Sequence, residues 1–185
     1  MDRLTTRLTG LALLAPQVHG DERGFFVETY RESTWTAEGV PATFLQDNHS
    51  RSKRGTVRGI HFQTHPGQGK LVRCARGTVW DVVVDLRRGS PTFGEWEGFE
   101  LDDVHGHQLW IPVGFGHGFC VLSDVADFVY KCTNYYDAQT ESGIRFDDPE
   151  VGIEWPLPHE ELLFSQRDRD APHLSEVADS LPFRV

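Results

Sequence analysis

From Leu71 to Thr133 the chain is a succession of short apolar runs, each stopped within a few residues by a glycine turn, a proline or a small polar pair. Leu71 to Ala75 ends at Arg76-Gly77, and Thr78 to Leu86 ends in the loop Arg87-Arg88-Gly89-Ser90-Pro91. Trp96 to Leu101, Gln108 to Pro112, Cys120 to Leu122 and Phe128 to Thr133 follow, the last two separated by Ser123-Asp124. Runs this short make poor helices but suit strands, which draw their stability from neighbours. Their spacing predicts an all-β sandwich or closed barrel. The first two runs, joined at Gly77, are expected to form a hairpin. Helix is expected only in short peripheral pieces, at Arg31 to Glu38 with Ser33 or Thr34 near its cap, and weakly at Glu160 to Phe164. Pro156 and Pro158 mark the end of the barrel and the start of a C-terminal tail. No repeat, low-complexity tract or linker interrupts the pattern. Residues 1–185 are therefore expected to form a single domain, long enough to bury a core.

Two stretches narrow the fold further. One is Gly59-Ile60-His61-Phe62-Gln63, followed by Lys70 and Gly77; the other is Pro112-Val113-Gly114-Phe115-Gly116-His117-Gly118. In outline they match the two motifs of a cupin barrel (double-stranded β-helix or jelly roll), His-x-His…Glu-x6-Gly and Pro-x-Gly-x2-His. In a metal-binding cupin those positions hold the ion. Here they read His61, Gln63, Lys70 and His117. An amide is a poor ligand, and a protonated lysine offers a cation no lone pair. The pattern keeps the pocket and discards the metal. A histidine that takes a proton and a lysine that stabilises negative charge remain, and proton abstraction beside a carbonyl needs both. Each has a blander reading: a half-buried core histidine for His61, a solvated charge for Lys70. Their joint placement at positions that converge inside a barrel favours the pocket. Tyr130 lies in a run whose alternation sets Phe128, Tyr130 and Cys132 on one face and Val129 and Lys131 on the other. Such an aromatic is ordinarily core, but a phenol in a lumen can also donate a proton.

Charge and composition limit the partners. The formal net charge of −10 argues against a general nucleic-acid coat, while a local Arg/Lys cluster remains compatible with a small anionic ligand. Cys74, Cys120 and Cys132 are odd in number and sit in apolar runs. They read as reduced core residues of a cytoplasmic protein, not as a disulfide framework. Leu8 to Ala15 follows Arg3 and Arg7, yet it is short for a signal sequence and passes straight into patterned chain. No stretch approaches the ~20 apolar residues of a membrane span. No Gly-x-Gly-x-x-Gly fingerprint or Cys/His metal spacing is present, so neither nicotinamide nor metal is expected.

Eight short blocks then carry a specific resemblance. They are Gly20-Asp21-Glu22-Arg23-Gly24-Phe25-Phe26, Gln46-Asp47-Asn48-His49-Ser50, Arg58-Gly59-Ile60-His61-Phe62-Gln63, Gly69-Lys70-Leu71-Val72-Arg73, Ser90-Pro91-Thr92-Phe93-Gly94, Gln108-Leu109-Trp110-Ile111-Pro112, Thr133-Asn134-Tyr135-Tyr136 and Gly152-Ile153-Glu154-Trp155-Pro156. In this order, from about Val18 to Leu174, the chain resembles the dTDP-4-dehydrorhamnose 3,5-epimerase family, cofactor-free cupin isomerases of dTDP-rhamnose synthesis. The resemblance implies epimerisation of dTDP-4-keto-6-deoxyglucose at C3 and C5, with no cofactor. By position, His61 matches the general base and Tyr130 the proton donor on the other face of the sugar. Asp168 matches the carboxylate behind the histidine, with Asp170 two residues away as its rival. Lys70 matches the group at the carbonyl oxygen. Arg23, Phe26, Glu28, Gln46, Asn48, Arg58, His117, Tyr136, Glu141 and Arg167 match substrate-contacting positions, with Arg23 and Arg58 suited to pyrophosphate and Tyr136 to stacking on thymine. Arg167 stands where the family often has lysine, and the loop from Gln63 to Lys70 is one residue shorter than in some relatives. The family further implies a homodimer in which Arg23 and Phe26 serve the partner's pocket. Relatives that invert only C3 or only C5 are the nearest alternative. A metal-dependent cupin and a non-catalytic nucleotide-sugar binder are the alternatives of another class.

Overall fold

The apolar runs become strands, and every strand pair is antiparallel. A computed structural model describes residues 1–185. In chain order the strands are β1 (Asp2–Leu4), β2 (Ala12–Ala15), β3 (Val18–Asp21), β4 (Gly24–Val27), β5 (Gln46–Lys53), β6 (Val57–Gln63), β7 (Lys70–Arg76), β8 (Thr78–Asp85), β9 (Trp96–Asp102), β10 (Gln108–Ile111), β11 (Phe115–Val121), β12 (Val125–Cys132) and β13 (Glu141–Gly143). Three short helices are α1 (Glu32–Ala37), α2 (Gln166–Arg169) and α3 (Leu174–Val177). A six-stranded sheet runs β1-β2-β10-β7-β12-β5 and faces a five-stranded sheet, β13-β6-β11-β8-β9; β3 and β4 form a separate ribbon. This is the expected all-β cupin architecture with short peripheral helices.

The expected hairpin at Gly77 does not form. β7 pairs with β10 and β12, whereas β8 pairs with β11 and β9 in the other sheet. Arg76-Gly77 is a corner at which the chain changes sheets. Ser123 sits at the corresponding corner between β11 and β12, and its hydroxyl accepts from Thr78 N at 2.9 Å. Gly77 has φ +79°, and a Cβ there would lie 2.3 Å from both Ser123 Oγ and Val125 O. A tight positive-φ glycine serves a hairpin and a sheet-changing corner equally well, so the residue types alone could not separate them.

Burial explains the composition of the strands. Val79 and Val83 of β8 face the other sheet, in a core cluster with Leu101, Leu109, Phe119 and Phe128. Val82 and Val84 face outward, where Leu174, Leu181 and Phe183 of the C-terminal segment cover them. A strand covered on both faces is apolar nearly throughout, interrupted here between its polar ends, Thr78 and Asp85, only by Asp81. The segment after Pro158 is therefore a lid on the outer face of the smaller sheet, not a loose tail. The apolar N-terminal run is likewise part of the fold: Leu8, Leu11 and Leu14 are fully buried, and Ala12–Ala15 pairs with β1 and β10.

The helices differ in detail from expectation. α1 begins at Glu32 with Arg31 as N-cap and no side-chain cap, so Ser33 and Thr34 lie inside it. Its buried Trp35 packs on Tyr30 with ring centroids 5.7 Å apart, and that packing holds a helix too short to persist alone. At Glu160–Phe164 only a 3-10 turn, His159–Glu161, is present. Beyond it the backbone extends alongside β6, where Val57 N donates to Leu163 O at 2.8 Å and Leu163 N donates to Gly55 O at 2.8 Å. Those bonds compete successfully with continuing the helix.

Candidate active site

Between the sheets, beyond the stacked pair Phe119 and Phe128 (centroids 4.2 Å apart), the interior opens into a cavity of about 750 Å³. β6 supplies its wall through one irregularity. On β11 two steps lead from His117 to Phe119, while their partners on β6, His61 and Arg58, are three apart. The extra residue is a β-bulge. Gly59 occupies it with φ +139°, and a Cβ there would meet Gly118 Cα at 2.5 Å. Without the bulge, Arg58 and His61 would face opposite sides of the strand. With it, both line the cavity, while Ile60 and Phe62 pack outward.

His61 Nε2 lies 2.6 Å from Asp168 Oδ1. Opposite His61, Gly143 leaves room for the ring, since a Cβ there would come within 3.3 Å of His61 Cδ2. Asp168 is 4% exposed. It belongs to α2, whose N-cap Ser165 accepts from Asp168 N at 3.1 Å and donates its hydroxyl to Asp168 Oδ2 at 2.8 Å. Each carboxylate oxygen thus has its own partner. Burial pushes the carboxyl up, but the His61 hydrogen bond and charge, with Ser165, outweigh it and hold the group below the usual carboxylate value. Asp168 is consequently an anion fixed behind the imidazole. With Nε2–H committed to it, Nδ1 is the ring atom left to take a proton. Asp170 points elsewhere and accepts from Gln166 Nε2 at 2.8 and 2.9 Å.

Tyr130 reaches the same cavity from β12, in the opposite sheet. Burial, then the neighbouring Cys132, raises its phenol pKa, so the proton stays on. Lys70, on β7, also lines the cavity; burial pulls its ammonium down against the opposing pull of Cys132, Glu141 and Asp81. His117 is 7% exposed and bound through Nε2 to Asp81 Oδ2 at 2.9 Å. Arg58 donates through Nε to Ser52 Oγ at 3.2 Å. Gln46 and Asn48 come from β5, a strand polar on both faces because one lines the cavity and the other is open to solvent.

At the rim, Arg167 Nη1 donates to Glu141 Oε2 at 2.7 Å, beside Tyr136. Tyr136 N donates to Gln46 Oε1 at 2.9 Å. Gln63, at the second position of the first cupin motif, shares the His61 side of β6 but does not line the cavity. Its Nε2 donates to Tyr135 O at 3.1 Å and its Oε1 accepts from Asp137 N at 3.2 Å, clamping the loop that presents Tyr136. An amide spent on that loop and an ammonium at the carboxylate position do not make a metal-binding donor set.

Arg23, Phe26 and Glu28 do not join the cavity. Arg23 and Phe26 lie on the β3–β4 ribbon and Glu28 just beyond it; Arg23 pairs with Asp21 and Glu28 with Arg31. Two participants escaped the sequence reading. Ser165 carries a legible signal, Ser-x-x-Asp, a capping pattern with the aspartate as the capped residue. Asp81 carries another, a lone charge inside an apolar strand. A larger, more open depression of about 950 Å³ lies between β9 and the C-terminal segment. It holds none of the residues expected from sequence and no convergence of acid and base.

Residues 5–176 match the family model for dTDP-4-dehydrorhamnose 3,5-epimerase. The enzyme of that name from Neisseria gonorrhoeae is 52% identical over 163 residues, covering 88% of this chain and 50% of its own length. The chain thus spans half of that relative. The Salmonella typhimurium enzyme of the same name is 49% identical, over 94% of this chain and 96% of its own. Among solved structures, dTDP-6-deoxy-D-glucose-3,5-epimerase from Legionella pneumophila, in complex with dTDP-4-keto-L-rhamnose, is similar with TM-score 0.95 and 43% identity, covering 100% of this chain and 98% of that one.

Proposed function

The chain belongs to the dTDP-4-dehydrorhamnose 3,5-epimerase family and is an isomerase of that type, and we propose that it inverts both carbons beside the C4 ketone with one base and one acid facing each other across the cavity. The reaction converts dTDP-4-keto-6-deoxyglucose to dTDP-4-keto-rhamnose, a step of dTDP-rhamnose biosynthesis. The ketone acidifies the hydrogens on C3 and C5. His61 Nδ1 removes one of them while Asp168 stabilises the imidazolium that forms. Negative charge collects on the ketone oxygen as an enolate, and Lys70 stabilises it there. Tyr130 returns a proton from the opposite face, and the centre is inverted. His61 then gives its proton to solvent and Tyr130 regains one from it, and the same sequence at the other carbon completes the reaction. Arg58 holds pyrophosphate oxygens, Tyr136 stacks on the thymine, and Gln46, Asn48, His117, Glu141 and Arg167 complete the contacts.

The observation that carries this reading is the entry of His61 and Tyr130 into one cavity from opposite sheets. Arg23, Phe26 and Glu28 act in the pocket of a second copy of the chain, forming a homodimer. Supporting this, Phe25 and Phe26 are 63% and 70% exposed at their own ribbon. The enzyme works in the cytoplasm, where its three buried free thiols stay reduced. Proton NMR of the product formed in deuterated buffer tests the reaction. Deuterium at both C3 and C5 of the rhamno product is expected; label at one carbon alone would mean a single-centre epimerase.

A further inference from the structure

The chain leaves β12 at Cys132 and re-enters a strand at Glu141, passing from the six-stranded sheet to the five-stranded one. This crossing, residues 133–140, carries Tyr136 to the cavity rim, where the residue is 52% exposed. A half-exposed ring on a loop has little packing to hold it. The two ends of the crossing are fixed independently of that ring. At the start, Gly69 N donates to Thr133 Oγ1 at 2.9 Å, Gln68 Nε2 to Asn134 O at 2.8 Å, and Asn134 Nδ2 to Gly67 O at 2.7 Å. At the close, Thr64 donates from N and from Oγ1 to Thr140 O, at 2.8 and 3.0 Å.

The middle of the crossing depends on two glutamines, one from each sheet. Gln46, on β5, accepts from Tyr136 N at 2.9 Å. Gln63, on β6, is 4% exposed and uses both ends of its amide on the same loop. Its Nε2 donates to Tyr135 O at 3.1 Å, and its Oε1 accepts from Asp137 N at 3.2 Å. The peptide units before and after Tyr136 are thereby both pinned, and the direction of its side chain with them. A primary amide suits this task because it carries a donor and an acceptor at one tip. An ionised carboxylate there would set negative charge against the Tyr135 carbonyl and lose the donor. Pinning a contact residue before its ligand arrives removes the cost of ordering it on binding.

We propose that Gln63 is a positioning residue for nucleotide binding: it holds Tyr136 in the orientation that receives the thymine ring before the ligand arrives. It stands two residues from His61 on β6, so one strand carries both the proton-abstracting imidazole and the clamp on the nucleobase platform. The position that a metal-binding cupin gives to a ligand serves the nucleotide here. This rests on the reading of Tyr136 as the residue that stacks on thymine. Its test is a binding measurement, independent of turnover.

Gln63→Met removes both hydrogen bonds, adds no charge and keeps the length of the side chain. Titration calorimetry with dTDP and with inorganic pyrophosphate compares it with the parent, with Tyr136→Ala and with the double variant. Tyr136→Ala should weaken dTDP binding about 5–150-fold. Gln63→Met should weaken it about fivefold or more, yet add less than about twofold in the Tyr136→Ala background, because its effect passes through that ring. Pyrophosphate binding should stay within about twofold throughout, and in turnover KM should rise more than kcat falls. A merely structural Gln63 would lower the melting temperature and leave dTDP affinity in place, or weaken it equally in both backgrounds; either result overturns the proposal. So does a loss of pyrophosphate binding as large as that of dTDP. Should Gln63→Met not fold, Gln63→Asn keeps the amide but is one methylene short of bridging Tyr135 and Asp137, and the same outcomes apply. Tyr136→Ala binding dTDP as tightly as the parent would strike the stacking role itself, and this proposal with it. Failure of the epimerase reading at the reacting carbons would show separately, as absent deuterium exchange with dTDP binding intact.

Discussion

His61 and Asp168 are 107 residues apart in the chain and 2.6 Å apart in the fold. Asp170, two residues further on, is exposed and bound to Gln166 instead. The short helix α2 therefore makes an unambiguous choice between two aspartates that its sequence leaves equivalent. His61→Ala should abolish both inversion and solvent exchange, with a rate loss of at least about 10²–10⁴-fold. Asp168→Asn should lower kcat with little change in KM, and Asp170→Asn should be nearly silent. Steady-state kinetics of the three variants checks the assignment, which is shifted by two residues if the last two exchange roles.

Tyr130→Phe keeps the ring and removes only the hydroxyl. With His61 and Asp168 intact, an α-hydrogen is still removed, and the base returns a solvent proton to the face it came from. Exchange into substrate should persist at one or both carbons while inverted product falls sharply, as read by NMR in deuterated buffer. Equal, complete loss of exchange and inversion in the folded variant would refute the division of labour between two faces. Normal inversion would place Tyr130 in the core alone.

Chelation tests the donor set. Because Lys70 and Gln63 stand where a metal-binding cupin has ligands, turnover should survive exhaustive dialysis against EDTA. Elemental analysis of the purified protein should find no stoichiometric iron, zinc or manganese. Activity lost to the chelator and restored by one metal would contradict the proposed chemistry at its base.

Acid stability should depend on Asp85. The side chain is fully buried and accepts from Arg87, Ser90 and Thr92 at 2.6–2.8 Å. Burial raises its pKa, but these partners together outweigh burial and leave it below the usual carboxylate value. A carboxylate depressed on folding stabilises the fold above its unfolded pKa of about 4 and loses that contribution as pH falls through the folded value. Asp85→Asn should cost about 3–5 kcal/mol at neutral pH, because Arg87 is left partly buried without its anion. It should also flatten the decline of melting temperature below about pH 4. A variant as acid-sensitive as its parent would remove Asp85 from that role.

How much of this was legible in the sequence depended on how local each signal was. His61, Lys70 and His117 sit in short, chemically distinctive motifs, and the strands that carry them converge once the barrel forms. The sheet-changing corner at Gly77 was not legible, because the local chain there is that of a hairpin and only the pairing of β10 and β11 decides otherwise. β5 was hidden for a different reason: Gln46, Asn48 and Ser50 line a cavity walled by polar side chains, so no apolar alternation marks the strand. Arg23, Phe26 and Glu28 were named from resemblance, and the fold sets them at a ribbon away from the chain's own cavity. Asp81 acts on His117 and Ser165 on Asp168, so neither stands out as part of the site until those neighbours are placed.

The bulge at Gly59 gives strand length a meaning of its own. It acts as a change of phase: residues after it keep one alternation, and residues before it keep the opposite one. Deleting that single glycine would alter no catalytic group, yet it would turn Arg58 to the outer face while His61 stayed in the lumen. In the proposed mechanism, a base parted from Arg58 could still meet a ketone but could not hold a nucleotide sugar in register with it. The count of residues along β6, as much as their identity, would then couple holding the substrate to reacting with it.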